Sequence, residues 1–329
     1  MSFRNFFSLF ILLCAIGSTW ANDVSGDLEK LKIAIVSRTV FYAPLWVARD
    51  SGFFTQQGIN VEIEVFDSAE KITEALKSGS VQIAISTPEG VVVDAYRNGP
   101  IRIIAGNAKR LPHFLIAQSN YKTTAQLRGA NFGVLSMNEG TTYLVRQFAQ
   151  SVGLKPEEYK ITQVGGAPTR WRLLQEGKID AGLQPFPLSY EAEAKGFKNF
   201  GAIAHIVPDW QFTSVNVLQD WANQNRALVA NALIALMKGS KTMQANPALA
   251  AKISARELHT TIELATRALE DTQKMDILSF DWSVSEPGLQ RVFQSLIETQ
   301  QLKPNTPFLV NKIIDETFLN QARDTEGYR

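Results

Sequence analysis

The chain has 329 residues, of which 45% are hydrophobic and 20% are charged. This is ordinary globular composition, and the length suits about two domains. Lys and Arg number 33 against 32 Asp and Glu, so no field of one sign is available to recruit nucleic acid or an anionic membrane surface. Partners must therefore be recognised by a local site.

The first 21 residues have the layout of a secretory signal peptide. Arg4 is the only charge before Asp23, an apolar run covers 6–16, and small side chains lead up to Ala21. The apolar run is shorter than the roughly 20 residues that span a bilayer, although a retained N-terminal anchor is the alternative. We expect residues 1–21 to be removed and the product to lie in the periplasm.

Cys14, inside the predicted signal peptide, is the only cysteine of the chain. The bulky Leu13 before it does not fit lipoprotein processing, which needs a small residue there. Residues 22–329 therefore contain no cysteine, which excludes disulfides, thiol catalysis and sulfur-ligated metal sites in the mature protein.

Strand-like and helical segments alternate in the first third of the chain. The apolar, β-rich runs are LKIAIVS (31–37), VEIEVF (61–66), VQIAIS (81–86) and IRIIAG (101–106). Helical spacing occupies the intervals 43–54, 67–79 and 88–99. In the second of these helices, Asp67 and Glu70 are spaced as a capping box and Gly79 is placed to end the helix. This alternation predicts an α/β sheet of the parallel type.

A second series of the same kind follows after Tyr121. It comprises predicted strands at 131–136, 159–166, 179–184 and 200–207, and predicted helices at 141–153, 168–177 and 185–197. Two segments have a similar sequence pattern, LKSGSVQIAIS from Leu76 and LQEGKIDAGLQ from Leu174. In both places a helix ends at Gly and a strand then leads to a loop with Pro, which predicts two lobes of similar build. A chance recurrence is the alternative, because Gly commonly follows a helix.

The last third of the chain is mostly helical after one further strand at 213–218. We expect these helices to pack back onto the first lobe, so that the chain crosses between lobes near 117–121 and near 211–215. The predicted division is 22–117 with 216–329 for the first lobe, and 118–215 for the second lobe. Ligands of open α/β sheets bind outside the carboxyl ends of the strands, so a cleft between the lobes is predicted.

Catalytic and metal-binding motifs are missing from the sequence. The three histidines, His113, His205 and His259, are scattered, and no zinc-binding, nucleophile-elbow or nucleotide-binding pattern occurs. A lone histidine is more often structural than catalytic. We therefore expect neither an enzyme nor a bound metal or cofactor.

Five loops after strand ends carry the candidate ligand contacts. Those of the first lobe span 37–44, with Thr39, Phe41 and Tyr42, and 86–90, with Ser86, Thr87 and Glu89. Those of the second lobe span 136–142, 165–169 and 184–187. Hydroxyls and helix N-termini hold anionic oxygens, and aromatic rings bury an organic body. Each polar residue taken singly is also a common helix cap, so the convergence of the loops is the stronger signal.

The stretches YAPLWVARDSGFFTQQGINVEIEVF, LKSGSVQIAIST and VGGAPTRWRLLQEGKIDAGLQPFP occur in an order that resembles a known family. This family is the periplasmic substrate-binding proteins of ABC importers for nitrate, sulfonates, taurine and thiamine-precursor pyrimidines. The similarity covers about residues 30–320 of this chain. The resemblance implies a two-lobed periplasmic-binding-protein fold (type 2), with two parallel-type sheets flanked by helices and two hinge crossovers. It also implies a small-molecule solute and an ABC permease and ATPase at the inner membrane as partners of a monomer.

The resemblance carries the family's ligand contacts onto matching positions of this chain. These positions are Phe41, Tyr42, Ser86, Thr87, Glu89, Gly140, Thr141, Thr142, Gly166, Ala167, Gln184 and Phe186. The yeast-type pyrimidine synthases of this fold use a histidine and a cysteine cluster, whereas Tyr42 stands where a His often occurs and the mature chain lacks Cys. Suicidal pyrimidine synthesis is therefore not expected.

The sequence favours a receptor that delivers a small organic anion to an importer. Arg38 and Glu89 place opposite charges near the predicted cleft, which does not suit a pocket for anions alone. A nitrogen heterocycle is therefore the alternative ligand, and Glu89 would accept hydrogen bonds from its ring N–H groups. A secreted enzyme or a sensor domain on the same scaffold remains a further alternative.

Overall fold

The computed structural model describes residues 28–327, so the predicted signal peptide lies outside the described residues. Ten strands form two five-stranded sheets, one in each lobe. The strands are β1 (Glu29–Ile35), β2 (Ile59–Val65), β3 (Ile83–Ser86), β4 (Ile101–Ala108), β5 (His113–Ala117), β6 (Asn131–Val134), β7 (Lys160–Gln163), β8 (Ala181–Pro185), β9 (Lys198–Ala202) and β10 (Thr213–Leu218).

The two sheets share one topology. Their orders are β2-β1-β3-β10-β4 and β7-β6-β8-β5-β9, so β6 to β9 repeat the arrangement of β1 to β4. The doubled sequence stretch lies at equivalent places, where it leads into β3 and into β8. The similar build of the two lobes is thus confirmed, and the stretch repeats because both strands occupy the buried centre of a sheet.

Each sheet is mixed rather than purely parallel. In the first sheet β1 pairs in parallel with β2 and β3, whereas β10 is antiparallel to β3 and β4. In the second sheet β6 pairs in parallel with β7 and β8, whereas β5 is antiparallel to β8 and β9. The antiparallel strands are the two that the chain enters directly after crossing between lobes.

The structure places both crossovers between the lobes earlier in the chain than the sequence-based boundaries do. The strand β5, placed at the end of the first lobe by the division at 117, belongs to the second sheet. The strand β10, divided by the boundary at 215, belongs entirely to the first sheet. The chain therefore crosses at 109–112 and at 203–212. The sequence pattern predicts no strand over 113–117, and it therefore places the first crossover too late in the chain.

Fourteen α-helices flank the sheets within residues 28–327. They are α1 (Ala43–Asp50), α2 (Phe53–Gln56), α3 (Ala69–Ser78), α4 (Glu89–Tyr96), α5 (Gly140–Ser151), α6 (Ala167–Gln175), α7 (Leu188–Ala194), α8 (Gln219–Gln224), α9 (Arg226–Ala245), α10 (Pro247–Leu258), α11 (Ile262–Lys274), α12 (Glu286–Glu298), α13 (Val310–Ile313) and α14 (Thr317–Glu326).

Two local predictions differ from the structure. The helix α3 is capped by Ser68, whose hydroxyl accepts a hydrogen bond of 3.2 Å from the Lys71 amide, and not by Asp67 with Glu70. Instead, Asp67 pairs with the Lys71 ammonium, and Glu70 accepts a hydrogen bond from Ser136 of the other lobe. The strand predicted over 200–207 lies two residues earlier and gives way to a turn of 3₁₀-helix (203–205).

The helices after β10 pack on the first lobe, as the discontinuous organisation requires. The longest of them, α9, lies against α1 so closely that a Cβ at Gly239 would come within 2.3 Å of the Pro44 carbonyl oxygen. Trp282 fills the space beside this contact, and its indole donates a 2.9 Å hydrogen bond to Ser240. Within the described residues, the structure contains no helix that is both long enough and apolar enough to span a bilayer.

Candidate functional site

The carboxyl ends of β1, β3 and β6 and the first residues of β5 and β10 meet between the lobes around a cavity of about 30 Å³. This volume holds about two water molecules, so the lobes are closed on each other in the structure. The first lobe lines the cavity with Val36, Ser37, Thr39, Phe41, Tyr42, Thr87 and Thr213. The second lobe and its crossover line it with His113, Leu135, Thr141, Gly166, Ala167, Arg170 and Phe212.

Two of the cavity hydroxyls have no partner. The Oγ1 atoms of Thr39 and Thr87 are buried and make no hydrogen bond in the structure. A buried hydroxyl without a partner costs about 1–3 kcal/mol, and a bound solute with polar atoms would recover that free energy. Both threonines are among the predicted ligand contacts. Their place on the cavity wall makes their hydroxyls available to a solute.

Arg170 is the one arginine on the cavity wall, and it was not among the predicted residues. It lies one turn into α6 and is 2% exposed. Its guanidinium donates to the Gly165 carbonyl at 2.9 Å and to the Leu183 carbonyl at 3.1 Å and 2.8 Å. Because a guanidinium has five N–H donors, two remain for an oxygen atom in the cavity.

Arg170 stays charged despite its burial. Burial lowers the pKa of Arg170 to about 10, and the nearby Glu139 carboxylate opposes that shift. A group with this pKa is cationic at neutral pH. The start of α6 brings a second positive contribution, since Gly166 and Ala167 form its first turn at the cavity and helix N-termini attract anions. This side of the cavity can therefore bind an anion.

An aromatic group closes the opposite side. Phe212 packs edge-on against Phe41 at 5.1 Å and against His113 at 4.8 Å between ring centroids. His113 is 2% exposed, and its Nδ1 atom has no hydrogen-bond partner. Burial, with a smaller contribution from Arg170, places the pKa of His113 well below its ordinary value, so the ring is neutral at physiological pH. A neutral imidazole here can accept or donate a hydrogen bond without adding charge.

Tyr42 and Thr141 line the cavity but use their hydroxyls within the protein. The Tyr42 hydroxyl donates to the Ile85 carbonyl at 3.1 Å and therefore ties the loop after β1 to β3. The Thr141 hydroxyl accepts a 3.0 Å hydrogen bond from the Leu135 amide and donates to Glu139. These two residues offer the solute an aromatic ring and a methyl group rather than a free hydroxyl.

A pair of carboxyl groups lies behind the cavity wall. Glu89 comes from the first lobe and Glu139 from the second, and they are 2% and 5% exposed. Burial and the charge of Glu139 raise the pKa of Glu89 to about 8, so that part of the population is protonated at neutral pH. Burial likewise raises the pKa of Glu139 to about 7, against the hydrogen bonds from Thr141 and the charge of Arg170.

Of the thirteen predicted contacts, seven line the cavity and six do not. The six are Ser86, Glu89, Gly140, Thr142, Gln184 and Phe186.

Most of the residues away from the cavity have structural partners. Ser86 accepts a 3.0 Å hydrogen bond from Asn216, and Thr142 donates at 2.8 Å to the Ser136 carbonyl. The Gln184 amide, oriented to satisfy both of its ends, donates to the Ala167 carbonyl and accepts from the Trp171 amide at 3.2 Å each. Phe186 stacks on Tyr190 with ring centroids 5.0 Å apart. These contacts stabilise the second lobe and the first sheet.

Sequence reasoning missed Arg170, His113 and Phe212 for identifiable reasons. Arg170 lies in the predicted helix 168–177, and only its first residues were considered for ligand contact. One turn of a helix brings position 170 back to the face of Gly166, which was a usable signal. Phe212 lies within the crossover predicted near 211–215, which was a usable signal, whereas His113 lies beside a crossover that the sequence pattern places later, near 117–121.

Metal binding has no support from the described part of the chain. Residues 28–327 contain no group of three or more His, Cys, Asp or Glu side chains arranged to hold a metal ion.

Relatives of this chain are named as binding proteins and, in yeast, as synthases. A relative from Bacillus subtilis, named only as a binding protein, is 30% identical over 109 residues, which are 32% of this chain and 33% of that protein. A Brucella abortus protein with the same kind of name is 24% identical over 217 residues, covering 64% of this chain and 66% of that protein. The matched regions thus span less than two thirds of these relatives. A Saccharomyces cerevisiae 4-amino-5-hydroxymethyl-2-methylpyrimidine phosphate synthase is 24% identical over 149 residues, covering 44% of this chain and 42% of that protein.

Solved structures of periplasmic binding proteins share the fold. The nitrate-binding protein of Synechocystis PCC 6803 superposes with a TM-score of 0.77 at 16% identity, covering 91% of this chain and 89% of that chain. The aliphatic sulphonate-binding protein of Escherichia coli superposes with a TM-score of 0.65 at 14% identity, covering 87% and 92%. These similarities confirm the two-lobed periplasmic-binding-protein fold. Residues 40–250 match the sequence profile described as NMT1/THI5 like, and the chain accordingly belongs to the NMT1/THI5-like family.

Proposed function

We propose that this protein is an extracytoplasmic solute-binding component of an ABC importer, which captures a small organic anion between its lobes. The proposal rests on Arg170, whose buried guanidinium keeps two N–H donors for the cavity. The unpartnered hydroxyls of Thr39 and Thr87 and the start of α6 supply further donors around the same space. A sulfonate or carboxylate group presents oxygens that match this set.

Both lobes contribute to the cavity, which is the arrangement that couples binding to closure. A solute that contacts Thr39 and Thr87 on one lobe and Arg170 on the other interacts fully only with the closed form. Differential interaction of this kind shifts the population toward closure. The proposed partners, a permease and an ATPase at the inner membrane, would then receive the closed form, and cleavage of the signal peptide at residues 1–21 would deliver the protein to the periplasm.

The body of the solute would lie against the aromatic group. In the closed structure the rings of Phe41 and Phe212 occupy the space beside the roughly 30 Å³ cavity. An organic solute larger than a few atoms therefore requires these rings to move apart. Stacking on such rings contributes about 0.5–1.5 kcal/mol beyond the area buried.

The anion proposal is tested by thermal unfolding of the mature chain against a panel of alkanesulfonates, short carboxylates, aminopyrimidines and flavins. We expect an anion to raise the midpoint in the wild type and to lose that effect in Arg170→Met. The matched control, Arg172→Met, alters an exposed arginine on the same helix, which pairs with Glu176, and should bind as the wild type does. Stabilisation that is equal in wild type and Arg170→Met would contradict the assignment.

A nitrogen heterocycle is the second candidate, and Glu89 is the observation that favours it. Both carboxyl oxygens of Glu89 are buried without a hydrogen-bond partner, and ring N–H groups could satisfy them once the lobes open. The yeast relatives are named as synthases of a pyrimidine phosphate, which is the same class of molecule. In that case aminopyrimidines would stabilise the wild type in the same panel, and Glu89→Gln would abolish the effect.

We propose a binding role rather than the synthase role of the yeast relatives. The only cysteine of the chain is Cys14, and the hydroxyl of Tyr42 is committed to the backbone of β3. Incubating the wild type with each stabilising compound should return that compound unchanged by mass spectrometry, and any turnover would contradict this part of the proposal.

A further inference from the structure

The closed seam between the lobes buries two carboxyl groups, one from each lobe, that lie near enough to interact electrostatically. Glu89 begins α4 of the first lobe, and Glu139 caps α5 of the second lobe by accepting a 2.9 Å hydrogen bond from the Thr141 amide. Three of the four carboxyl oxygens, both of Glu89 and Oε2 of Glu139, are buried and accept no hydrogen bond of ordinary geometry, although the Thr87 hydroxyl and the Gly140 amide lie near enough to Glu89 to oppose the rise of its pKa. Buried carboxylates in this condition are unfavourable unless a counter-charge or a proton is supplied.

The contact between the two lobes at this point is close. A Cβ placed on Gly140, the residue after Glu139, would lie 2.5 Å from Oε1 of Glu89 and 2.8 Å from Cζ2 of Trp210. Trp210 is fully buried and stacks on Tyr143 of α5 with ring centroids 5.5 Å apart. The first-lobe carboxyl is therefore packed against the second lobe in the closed form, beside a wider cavity of about 970 Å³ that Glu139 and Thr87 help to line.

The surrounding charges do not neutralise the pair. Arg170 of α6 attracts Glu139, but Glu70 of α3 adds a third negative charge that acts on the same carboxyl. Glu89 itself interacts with Glu139 as its charged neighbour. The starts of α4 and α5 favour a negative charge by about 0.3–1 kcal/mol each, which does not offset the burial of two anions.

We propose that closure of the cleft takes up a proton at the Glu89–Glu139 pair, so that acidification favours the closed form and alkaline pH favours opening. This proposal rests on closure of the lobes, as the proposed function does, but it does not depend on which solute is bound.

The direction of the pH effect follows from the pKa of each carboxyl in the two forms. In the closed form the pKa is raised to about 8 for Glu89 and to about 7 for Glu139. In the open form water reaches both groups, and their pKa values return toward the ordinary glutamate value of about 4.3. Closure therefore binds protons between about pH 5 and pH 8, and the closed-to-open ratio falls by up to about tenfold per pH unit for each proton taken up.

Residues 22–329 contain no cysteine, so dyes can be attached only at cysteines introduced for the purpose. Lys252→Cys on α10 of the first lobe and Lys160→Cys on β7 of the second lobe give two exposed labelling sites in the mature protein. Energy transfer between dyes at these sites reports the distance between lobes without any solute. We expect transfer to increase as the pH falls from 8.5 to 5.5 in the wild-type background.

Two neutral variants decide the assignment. In Glu89→Gln the change of transfer with pH should become shallower, because only Glu139 can still take up a proton, and in the double variant with Glu139→Gln transfer should stay at one level across this pH range. Glu157→Gln, which changes an exposed carboxyl of the second lobe in the same way, should keep the wild-type profile. Transfer that is independent of pH in the wild type, or a pH profile that survives in the double variant, would overturn the proposal. Because no solute is present, neither outcome depends on whether the anion assignment at Arg170 is correct.

Discussion

Replacement of Gly140 by alanine should hold the cleft open. Gly140 begins α5 at the seam, and its backbone does not adopt a positive φ, so alanine fits the local conformation. The added methyl group would nevertheless lie 2.5 Å from Glu89 Oε1 and 2.8 Å from Trp210 Cζ2, where 3.4–4 Å is ordinary contact. The fully buried Trp210 cannot retreat easily, because it stacks on Tyr143.

The size of the effect follows from this clash. Forcing a methyl group into a packed contact costs about 1–3 kcal/mol. Opening the lobes relieves the contact with Glu89 but not the one with Trp210, which stacks on Tyr143 of α5 itself. The part of the cost that arises at Glu89 falls on the closed form, and at 1.4 kcal/mol per factor of ten a share of about 1 kcal/mol would lower the closed population about fivefold. The contact with Trp210 persists in the open form, so the free energy of unfolding should fall as well.

Energy transfer between dyes at positions 160 and 252, compared with the urea unfolding midpoint, separates the two effects. Gly90→Ala is the matched control, since a Cβ there would meet only Thr73 Oγ1 of the same lobe, at 3.1 Å. We expect lower transfer for Gly140→Ala together with a lower midpoint from the contact with Trp210, and wild-type transfer for Gly90→Ala. If Gly140→Ala closes as fully as the wild type, the lobes do not meet at Glu89 as the structure shows.

Three further predictions concern other contacts of the described chain. Tyr190→Phe removes the hydroxyl that donates a hydrogen bond to Asp271 across the lobes. The loss of about 1 kcal/mol should reduce the closed population about fivefold in the energy-transfer assay. Unchanged transfer would show that this hydrogen bond does not hold the lobes together. Gly239→Ala places a methyl group 2.3 Å from the Pro44 carbonyl oxygen. Urea unfolding should therefore show a free energy of unfolding lower by about 1–3 kcal/mol. An undiminished midpoint would contradict the close packing of α9 on α1. Burial acts to raise the pKa of Glu257, but hydrogen bonds from Arg49 and Arg256 outweigh it and lower the pKa; its stabilising effect should therefore be complete above about pH 5 and be lost as the pH falls below about 4.5. Urea midpoints of wild type and Glu257→Gln should thus converge in acid, and a constant difference down to pH 3 would refute this.

The sequence alone was sufficient for the layers of the fold and for part of the cavity wall. The alternation of period-two runs with helical spacing located most strands to within a few residues, because burial on a sheet restricts each position to one face. The loops after strand ends supplied Thr39, Phe41, Tyr42, Thr87, Thr141, Gly166 and Ala167, which do line the cavity. These positions were accessible because each lies in a loop after the predicted end of a strand, where open α/β sheets bind ligands.

Tertiary structure decided the rest. Local pattern does not reveal that β5 and β10 each join the sheet of the opposite lobe, because their direction depends on partners found only after folding. The meeting of Arg170, His113 and Phe212 depends on three segments far apart in the chain, brought together by the two crossovers. The Glu89–Glu139 pair depends on how the lobes close, since either carboxyl alone would be a solvated residue at the start of a helix. Periodicity determines which face of an element is buried, whereas the neighbours that shift a pKa or leave a donor free are determined by packing between elements.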